Sequence, residues 1–224
     1  MSQQQTSLIL GATKGLGREI TELCRLRGDQ TIEVGSSLYD HLEGDIIFRH
    51  CDLSDIQSVK KLLRVIEDLP TLSNFYWVAG TLLKGELAKQ TQDEILSTID
   101  INFRNSVLVA NAAWKRMRLT LTGEGLRKFV VVASSSGIKP RNDEAIYVAT
   151  KHAQVGFTRS LGLENRNPNV KITLVLPGGM RTRLWDKNPN PDYMDFLDPQ
   201  KVAELIIETV ENQTEPYMQL NIPR

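Results

Sequence analysis

Short apolar runs alternate with amphipathic helical segments along almost the whole of this 224-residue chain. Six runs rich in valine, isoleucine, leucine and phenylalanine are too short for helices, and several lack polar alternation, as expected of strands buried on both faces of a parallel sheet. They occupy residues 7–10, 31–34, 46–48, 75–78, 129–133 and 172–176, and the short run 217–220 is a candidate edge strand. Between them, apolar residues recur every three or four positions, most extensively over 92–119 and 147–165. The alternation predicts one α/β domain over residues 1–224, with a doubly wound parallel sheet between two layers of helices, the Rossmann arrangement.

Composition excludes several classes of protein. Lys and Arg total 27, as do Asp and Glu, so the chain lacks the bulk charge typical of nucleic-acid or membrane-surface binding. No apolar run approaches the roughly 20 residues of a membrane span, and the start MSQQQTSLIL lacks the features of a signal peptide. The two cysteines, Cys24 and Cys51, and the scattered His41, His50 and His152 indicate neither a disulfide framework nor a metal site. We therefore expect a cytoplasmic, metal-free protein.

A glycine-rich turn follows the first predicted strand and opens the first predicted helix. It reads Gly11-Ala12-Thr13-Lys14-Gly15-Leu16-Gly17, with the spacing G-x-x-x-G-x-G. Glycines permit a tight turn and a close approach of backbone to a pyrophosphate, while the helix N-terminus offers free N–H groups to the phosphates. The turn predicts a dinucleotide site; the alternative is an ordinary strand–helix turn with incidental glycines.

This spacing is similar to that of the short-chain dehydrogenase/reductase family, and later motifs extend the resemblance in the right order. Tyr147 and Lys151 match Y-x-x-x-K and share one helix face. Ser134 stands thirteen residues before Tyr147 at the end of an apolar run, and Asn102 lies in the 92–119 helical segment. The family places its four catalytic residues at these positions. The alternative is that these residues have no catalytic role. They would then be a partly buried Tyr, a solvated Lys, part of a serine-rich loop and an exposed helix Asn.

The resemblance implies reversible hydride transfer between a nicotinamide cofactor and a carbonyl/alcohol pair. Tyr147 would be the general acid/base, and Ser134 would hydrogen-bond the reacting oxygen. Lys151 would hold the nicotinamide ribose, and an ammonium beside a phenol is expected to lower the phenol's pKa. Asn102 would anchor a water that relays protons to Lys151.

Further segments resemble the family's cofactor-binding motifs. Asp52 and Leu53 correspond to the adenine contacts, and residues 177–182 to P-G-x-x-x-T, which holds the nicotinamide carboxamide. Trp77-Val78 stands where the family often has Asn-Asn before Ala-Gly, which implies weaker cofactor binding unless the strand is braced in another way. The cofactor-binding residues predicted in addition to Tyr147 and Lys151 are Gly11, Thr13, Lys14, Gly15, Leu16, Gly17, Ser36, Ser37, Asp52, Leu53, Ala79, Gly80, Pro177, Gly178, Met180 and Thr182.

The end of the second strand favours NADP(H) over NAD(H). NAD-preferring members usually carry an acid near the position of Gly35, where this chain has small residues. Glu33 lies nearby but is expected to point to the other side of the strand. Lys14 matches the basic residue of NADP-preferring members, which would pair with the 2′-phosphate. The alternative is a solvent-exposed turn residue.

The substrate and the assembly are less constrained. An apolar carbonyl compound is suggested by side chains that would line the pocket, although aromatics near a short loop are as often simple packing: Leu82, Leu83, Ile138, Trp185, Tyr193, Met194 and Phe196. Family members are usually homodimers or homotetramers packed through the helices near Asn102 and Tyr147, and 155–157 offers small apolar surface for this. The competing function is a non-catalytic NADP(H)-binding redox sensor or signalling protein, similar to C-factor; such sensors commonly lose the tyrosine or the lysine, and both are present here.

Overall fold

The sheet is the one the sequence predicts. The structure, a computed structural model, describes residues 4–37, 46–119 and 125–224. In that part of the chain seven strands form one parallel sheet in the order β3-β2-β1-β4-β5-β6-β7. The strands are β1 Thr6–Leu10, β2 Gln30–Gly35, β3 Ile46–His50, β4 Asn74–Trp77, β5 Arg127–Val132, β6 Val170–Pro177 and β7 Tyr217–Ile222. The main helices are α1 Gly15–Leu26, α2 Ile56–Glu67, α3 Gln92–Ile99, α4 Asn105–Leu119, α5 Ala145–Glu164 and α6 Pro199–Glu211.

Successive residues of each strand face opposite helix layers. In β1, Leu8 and Leu10 pack into a core that α2, α4 and α5 cover, whereas Ile9 packs into a second core under α1 and α6. All three leucine and isoleucine side chains are at most 1% exposed. Both faces of the sheet are therefore buried, which confirms the doubly wound, three-layer α/β/α prediction and explains the continuous apolar runs.

The strand register brings several loops to one edge of the sheet. Leu10 lies opposite Val34 of β2 and Trp77 of β4. The N–H groups of Gly11 and Ala12 donate to the Val34 carbonyl at 2.8 and 3.0 Å, which ties the glycine-rich turn to the end of β2. Strand order reverses between β1 and β4, and ligands of such sheets bind in the crevice outside this point.

The helical segment 92–119 is not one helix, which corrects the sequence-based expectation. Helix α3 starts at a capping box between Thr91 and Glu94 and ends at Ile99. A π-helical turn, Asp100–Arg104, follows before α4 begins, and the Asn105 N–H donates to the Asp100 carbonyl five residues earlier. Asn102 lies inside this turn.

The outer surface of α5 differs from the apolar segment expected at 155–157. Val155 is 4% exposed and packs inward. The Phe157 ring lies 6.0 Å from the Trp77 ring in an edge-on contact. Gly156 is exposed and Phe157 is half-buried, so the expectation was wrong for Val155, which lies on the inner face of the helix.

Candidate functional site

The glycine-rich turn folds back on itself too tightly for side chains. Gly11 has φ +95°, and a Cβ there would lie 2.6 Å from the Ala79 nitrogen. A Cβ on Gly17 would lie 1.9 Å from the Gly11 carbonyl oxygen. The turn therefore requires glycine at both positions and presents bare backbone to the crevice, as the sequence predicts.

The N-terminus of α1 offers its N–H groups to a ligand. Helices α2, α3 and α6 begin with side-chain caps from Asp55, Thr91 and Asp198. Lys14 is the N-cap residue of α1, and within the described residues it makes no side-chain cap hydrogen bond. Leu16 is buried and anchors the first turn in the core. An uncapped helix N-terminus combines free donors with the positive end of the helix dipole, which suits a phosphate.

Ser134, Tyr147 and Lys151 converge at the carboxyl edge of the sheet. Ser134 follows β5 and is 9% exposed, and its side chain hydrogen-bonds Tyr147. Tyr147 and Lys151 lie one turn apart on α5, with the lysine Nζ 5.7 Å from the centre of the tyrosine ring. A Cβ on Gly80 would lie 3.4 Å from the Lys151 Nζ, so this glycine leaves space directly over the amine. The spacing argument that selected Ser134 from three adjacent serines agrees with these contacts.

Burial controls the proton affinities of this pair. Burial raises the pKa of Tyr147 to about 12, and the hydrogen bond with Ser134 acts in the opposite direction. Burial also lowers the pKa of Lys151 to about 7. The expectation that the lysine depresses the pKa of Tyr147 is therefore wrong for this arrangement: desolvation, which opposes charge on both groups, is the larger effect.

Asn102 is completely buried and joins the loop after β4 to α5. Its Oδ1 accepts from the Thr81 N–H at 2.7 Å, and its Nδ2 donates to the Thr81 carbonyl at 2.9 Å and to the Thr150 Oγ1 at 3.0 Å. Its own carbonyl accepts from the Gln154 Nε2 at 3.0 Å. Gln154 was not predicted from the sequence. The feature that could have indicated it is its position as a polar residue one helical turn beyond Lys151.

Apolar packing braces β4 where the usual asparagines are missing. Trp77 is fully buried, and its ring stacks 6.5 Å from that of Phe103. The N–H groups of Val78 and Ala79 both donate to the Leu10 carbonyl, at 2.9 and 2.8 Å. The strand end and the Ala79-Gly80 step are thus held by core packing and backbone hydrogen bonds.

The end of β2 has the small, polar character expected from the sequence. A Cβ on Gly35 would lie 2.4 Å from the Thr13 methyl, and the Ser37 Oγ lies 3.4 Å from the Thr13 Oγ1. Ser36 is exposed. Glu33 is fully buried and accepts from the Arg25 Nε at 3.0 Å, which confirms that it faces α1. Its carboxylate is therefore not available to a ribose at the strand end.

Asp52 and Leu53 form the loop between β3 and α2. The Asp52 carboxylate accepts from the Ser54 N–H at 2.8 Å and from its hydroxyl at 2.7 Å, and these bonds lower the pKa of Asp52. The Leu53 carbonyl accepts from the Asn105 Nδ2 at 2.8 Å, which fastens the loop to α4. Asp52 thus organises the turn before α2, and its carboxylate is partly exposed for a second contact.

The segment after β6 meets the glycine-rich turn. Pro177 ends β6, and the Gly178 N–H donates to the Ile222 carbonyl at 2.9 Å. Met180 pairs with Leu197 in an isolated bridge. A Cβ on Gly15 would lie 3.0 Å from the Thr182 methyl. Two motifs that are far apart in sequence thus form opposite walls of one cleft.

This cleft has a volume of about 640 Å³. Arg181 and Arg183, which the sequence analysis did not single out, contribute to its wall, and Arg181 is already paired with Asp198 at 3.1 Å. The lining residues are Thr13, Lys14, Gly15, Glu19, Ser37, Arg181, Thr182, Arg183, Asp186, Tyr193 and Pro199.

A family model described as "short chain dehydrogenase" matches residues 5–192. This chain belongs to the short-chain dehydrogenase family. Curated relatives include a 3-oxoacyl-[acyl-carrier-protein] reductase of Bos taurus, 27% identical over 217 residues that cover 90% of each chain. Carbonyl reductase family member 4 of Danio rerio is 28% identical over 186 residues, 80% of this chain and 76% of the relative.

Solved structures share the fold over nearly the whole chain. A 4-hydroxyisoleucine dehydrogenase complexed with NADH has a TM-score of 0.85 at 21% identity and covers 98% of this chain and 97% of its own. A short-chain dehydrogenase from Sphingobium yanoikuyae in complex with NADPH has a TM-score of 0.84 at 21% identity, with coverage of 97% and 87%. The bare glycine backbone, the uncapped α1 and the space over Gly80 fit a nicotinamide dinucleotide in the present short-chain dehydrogenase.

Two further features of this short-chain dehydrogenase concern metals and membranes. Within residues 4–37, 46–119 and 125–224, no three His, Cys, Asp or Glu side chains lie together as metal ligands would; His41 lies outside the described residues. None of the helices in the described ranges combines the length and hydropathy that crossing a bilayer requires.

Proposed function

We propose that this short-chain dehydrogenase is an NADP(H)-dependent reductase that converts a carbonyl compound to an alcohol. The observation that carries the proposal is the convergence of Ser134, Tyr147 and Lys151 beside the open backbone of Gly80. A proton donor, a hydrogen-bonding hydroxyl and an amine thus come together at the edge of the sheet where this architecture binds ligands. The nicotinamide cofactor, when bound, supplies the hydride.

Each side chain has a role that follows from its surroundings. With a pKa raised by burial to about 12, Tyr147 stays protonated at neutral pH and can donate its Oη proton to the substrate oxygen. Ser134, which hydrogen-bonds Tyr147, is placed to hydrogen-bond the same oxygen as negative charge develops on it. The Lys151 amine, with a pKa lowered to about 7, exists in both protonation states near neutrality, so it can hold the ribose and return a proton to Tyr147.

The preference for NADP(H) rests on the charges around the end of β2. Lys14 lines the cleft and would pair with a 2′-phosphate. Ser36 and Ser37 add small polar groups there, while Glu33 is engaged by Arg25 on the opposite side. Asp52, Leu53 and the segment from Pro177 to Thr182 would hold the adenine and the nicotinamide ends.

The proposed substrate is an apolar carbonyl compound. Phe196 is 4% exposed, and its ring lies 4.9 Å from the Trp185 ring and 5.9 Å from the Tyr193 ring. Tyr193 belongs to the wall of the cleft, so this aromatic cluster adjoins the cleft. Met194 and Ile138 are 77% and 41% exposed, which leaves both available for contact with a ligand.

We further propose a cytoplasmic homodimer or homotetramer that packs through α4 and α5. Leu108 on α4 and Leu163 on α5 are 39% and 78% exposed and would be covered in such an assembly. Light scattering tests this proposal, because a monomeric mass at micromolar concentration would contradict it.

The decisive experiment compares NADPH oxidation by the wild type, Tyr147→Phe and Tyr217→Phe against a panel of ketones and aldehydes. Loss of a general acid lowers turnover by roughly 10²–10⁴-fold, so we expect this loss in Tyr147→Phe with NADPH binding retained. Tyr217 lies on the edge strand β7, and its variant controls for removal of a tyrosine hydroxyl elsewhere. Near-normal activity in Tyr147→Phe would refute the assigned role. Tight NADPH binding without turnover by the wild type would favour the sensor function.

A further inference from the structure

A buried glutamine stands next to the proposed catalytic lysine and has no part in the mechanism described above. Gln154 lies on α5, one turn beyond Lys151, and its exposed fraction is 0%. A buried side-chain amide is costly unless its donor and acceptor groups are both satisfied. Its partners therefore indicate what the residue does.

The glutamine side chain forms a direct bridge between two proposed catalytic residues. Its Oε1 accepts from the Lys151 Nζ at 2.9 Å, and its Nε2 donates to the Asn102 carbonyl at 3.0 Å. The far end of the bridge is rigid, because the Asn102 side chain is itself bonded to both backbone groups of Thr81 and to Thr150. The lysine is thereby connected to the loop after β4.

An amide in this position acts differently from a carboxylate or a water. Its oxygen can accept from either the ammonium or the neutral amine, so it holds Lys151 in both protonation states. It adds no charge, and therefore opposes the effect of burial on the pKa of Lys151 less than a carboxylate would. Unlike a water, it has a fixed donor end and a fixed acceptor end, so it orients the amine without passing a proton along the bridge.

We propose that Gln154 is a positioning residue whose amide links the Lys151 Nζ directly to the Asn102 carbonyl oxygen and so holds the lysine toward Gly80 and Tyr147. The resemblance implied a relay water between Asn102 and Lys151, whereas in this chain a side chain makes that connection. The role in the reaction rests on the proposed function; the bridge itself does not.

The test follows Lys151 by NMR titration of its Nζ and side-chain Cε in the protein without added ligand. Gln154→Leu removes both ends of the bridge, and Gln154→Glu keeps an acceptor for the lysine but adds a charge. Both variants lose the donor to Asn102. Thr158→Val is the matched control, because Thr158 is buried one turn further along α5 and its hydroxyl donates to the Gln154 backbone carbonyl at 2.7 Å.

We expect the lysine titration midpoint to fall in Gln154→Leu, to rise by about one pH unit or more in Gln154→Glu, and to stay unchanged in Thr158→Val. The other ionisable side chain next to the amine is Tyr147, whose ring centre lies 5.7 Å away, and all of these variants retain it. A purely structural role would not produce opposite shifts, since both substitutions break the same bond to Asn102. Shifts of equal sign, or none, would overturn the proposal. If Gln154→Leu fails to fold, the shift in Gln154→Glu decides alone.

The effect on the reaction is measured separately through the pH dependence of kcat. Misplacing a catalytic group by about 1 Å can cost about 10²-fold, so kcat of Gln154→Leu should fall by about 10- to 100-fold while Thr158→Val stays near the wild type. Wild-type kcat and an unchanged pH profile in Gln154→Leu would refute the positioning role. Full activity of Tyr147→Phe would instead refute the proposed function, and the NMR titration would still test the bridge.

Discussion

The burial of Lys151 predicts an unusual dependence of stability on pH. The side chain is 4% exposed, and burial lowers its pKa from 10.5 to about 7. Between these two values the unfolded chain binds a proton that the folded chain does not, so the stability of the fold rises with pH across this window. Burial of the charged lysine therefore lowers the free energy of unfolding. At about 1.4 kcal/mol for each tenfold change in proton affinity, this penalty is about 5 kcal/mol and is fully present below pH 7.

Lys151→Met removes this penalty while keeping most of the side-chain volume. The penalty should decline from about 5 kcal/mol at pH 6 to about 2 kcal/mol at pH 9. The free energy of unfolding of Lys151→Met relative to the wild type should therefore be about 3 kcal/mol higher at pH 6 than at pH 9. Loss of the hydrogen bond to Gln154 changes the free energy of unfolding of the variant by the same amount at pH 6 and at pH 9.

Urea unfolding at the two pH values, followed by tryptophan fluorescence, measures this difference. Thr158→Val has no ionisable group at the substituted position, so its free energy of unfolding relative to the wild type should be the same at both pH values. If Lys151→Met and the wild type differ in their free energy of unfolding by the same amount at pH 6 and at pH 9, the folded protein does not lower the pKa of Lys151.

Two further substitutions test the cofactor site. Gly17→Ala places a Cβ 1.9 Å from the Gly11 carbonyl, so we expect loss of NADPH binding in fluorescence titrations, whereas Gly156→Ala, at an exposed helical glycine, should retain it. Ser36→Asp introduces a carboxylate at the end of β2 and should weaken NADPH binding by about 10- to 100-fold through repulsion of the 2′-phosphate. NADH binding should change far less, and Ser36→Asn is the neutral control; equal losses for both cofactors would contradict the assignment.

The fold was predictable because its signals are local. The apolar runs form strands, and Leu8 and Ile9 on opposite sides of β1 show that both faces of the sheet are covered at its centre. The bend at Gly11 and Gly17 is also local, since both glycines lie in one seven-residue segment. The break in the 92–119 helix could not be predicted, because a helical periodicity does not reveal a single shift of hydrogen-bond register.

The site was predictable where helix geometry or family resemblance supplied the link. A spacing of four residues places Tyr147 and Lys151 on one face of a helix, but only the resemblance connected them with Ser134. The proton affinities could not be obtained in this way. They depend on how completely the tertiary structure excludes water, and a sequence motif does not encode that quantity. The motif suggested a tyrosine made more acidic by its lysine, whereas burial makes Tyr147 less acidic and Lys151 less basic.

The π-helical turn explains how Asn102 can serve both the loop and the helix beside it. In a regular α-helix each carbonyl accepts from the N–H four residues later. The turn shifts this register, as the bond from the Asn105 N–H to the Asp100 carbonyl shows. Such single turns widen the helix and frequently occur at functional sites. Here the widened turn directs the Asn102 side chain to Thr81 and its carbonyl to Gln154. We attribute the bridge to Lys151 to this change of register, because it requires the side chain and the carbonyl of one residue to meet different elements at the same time.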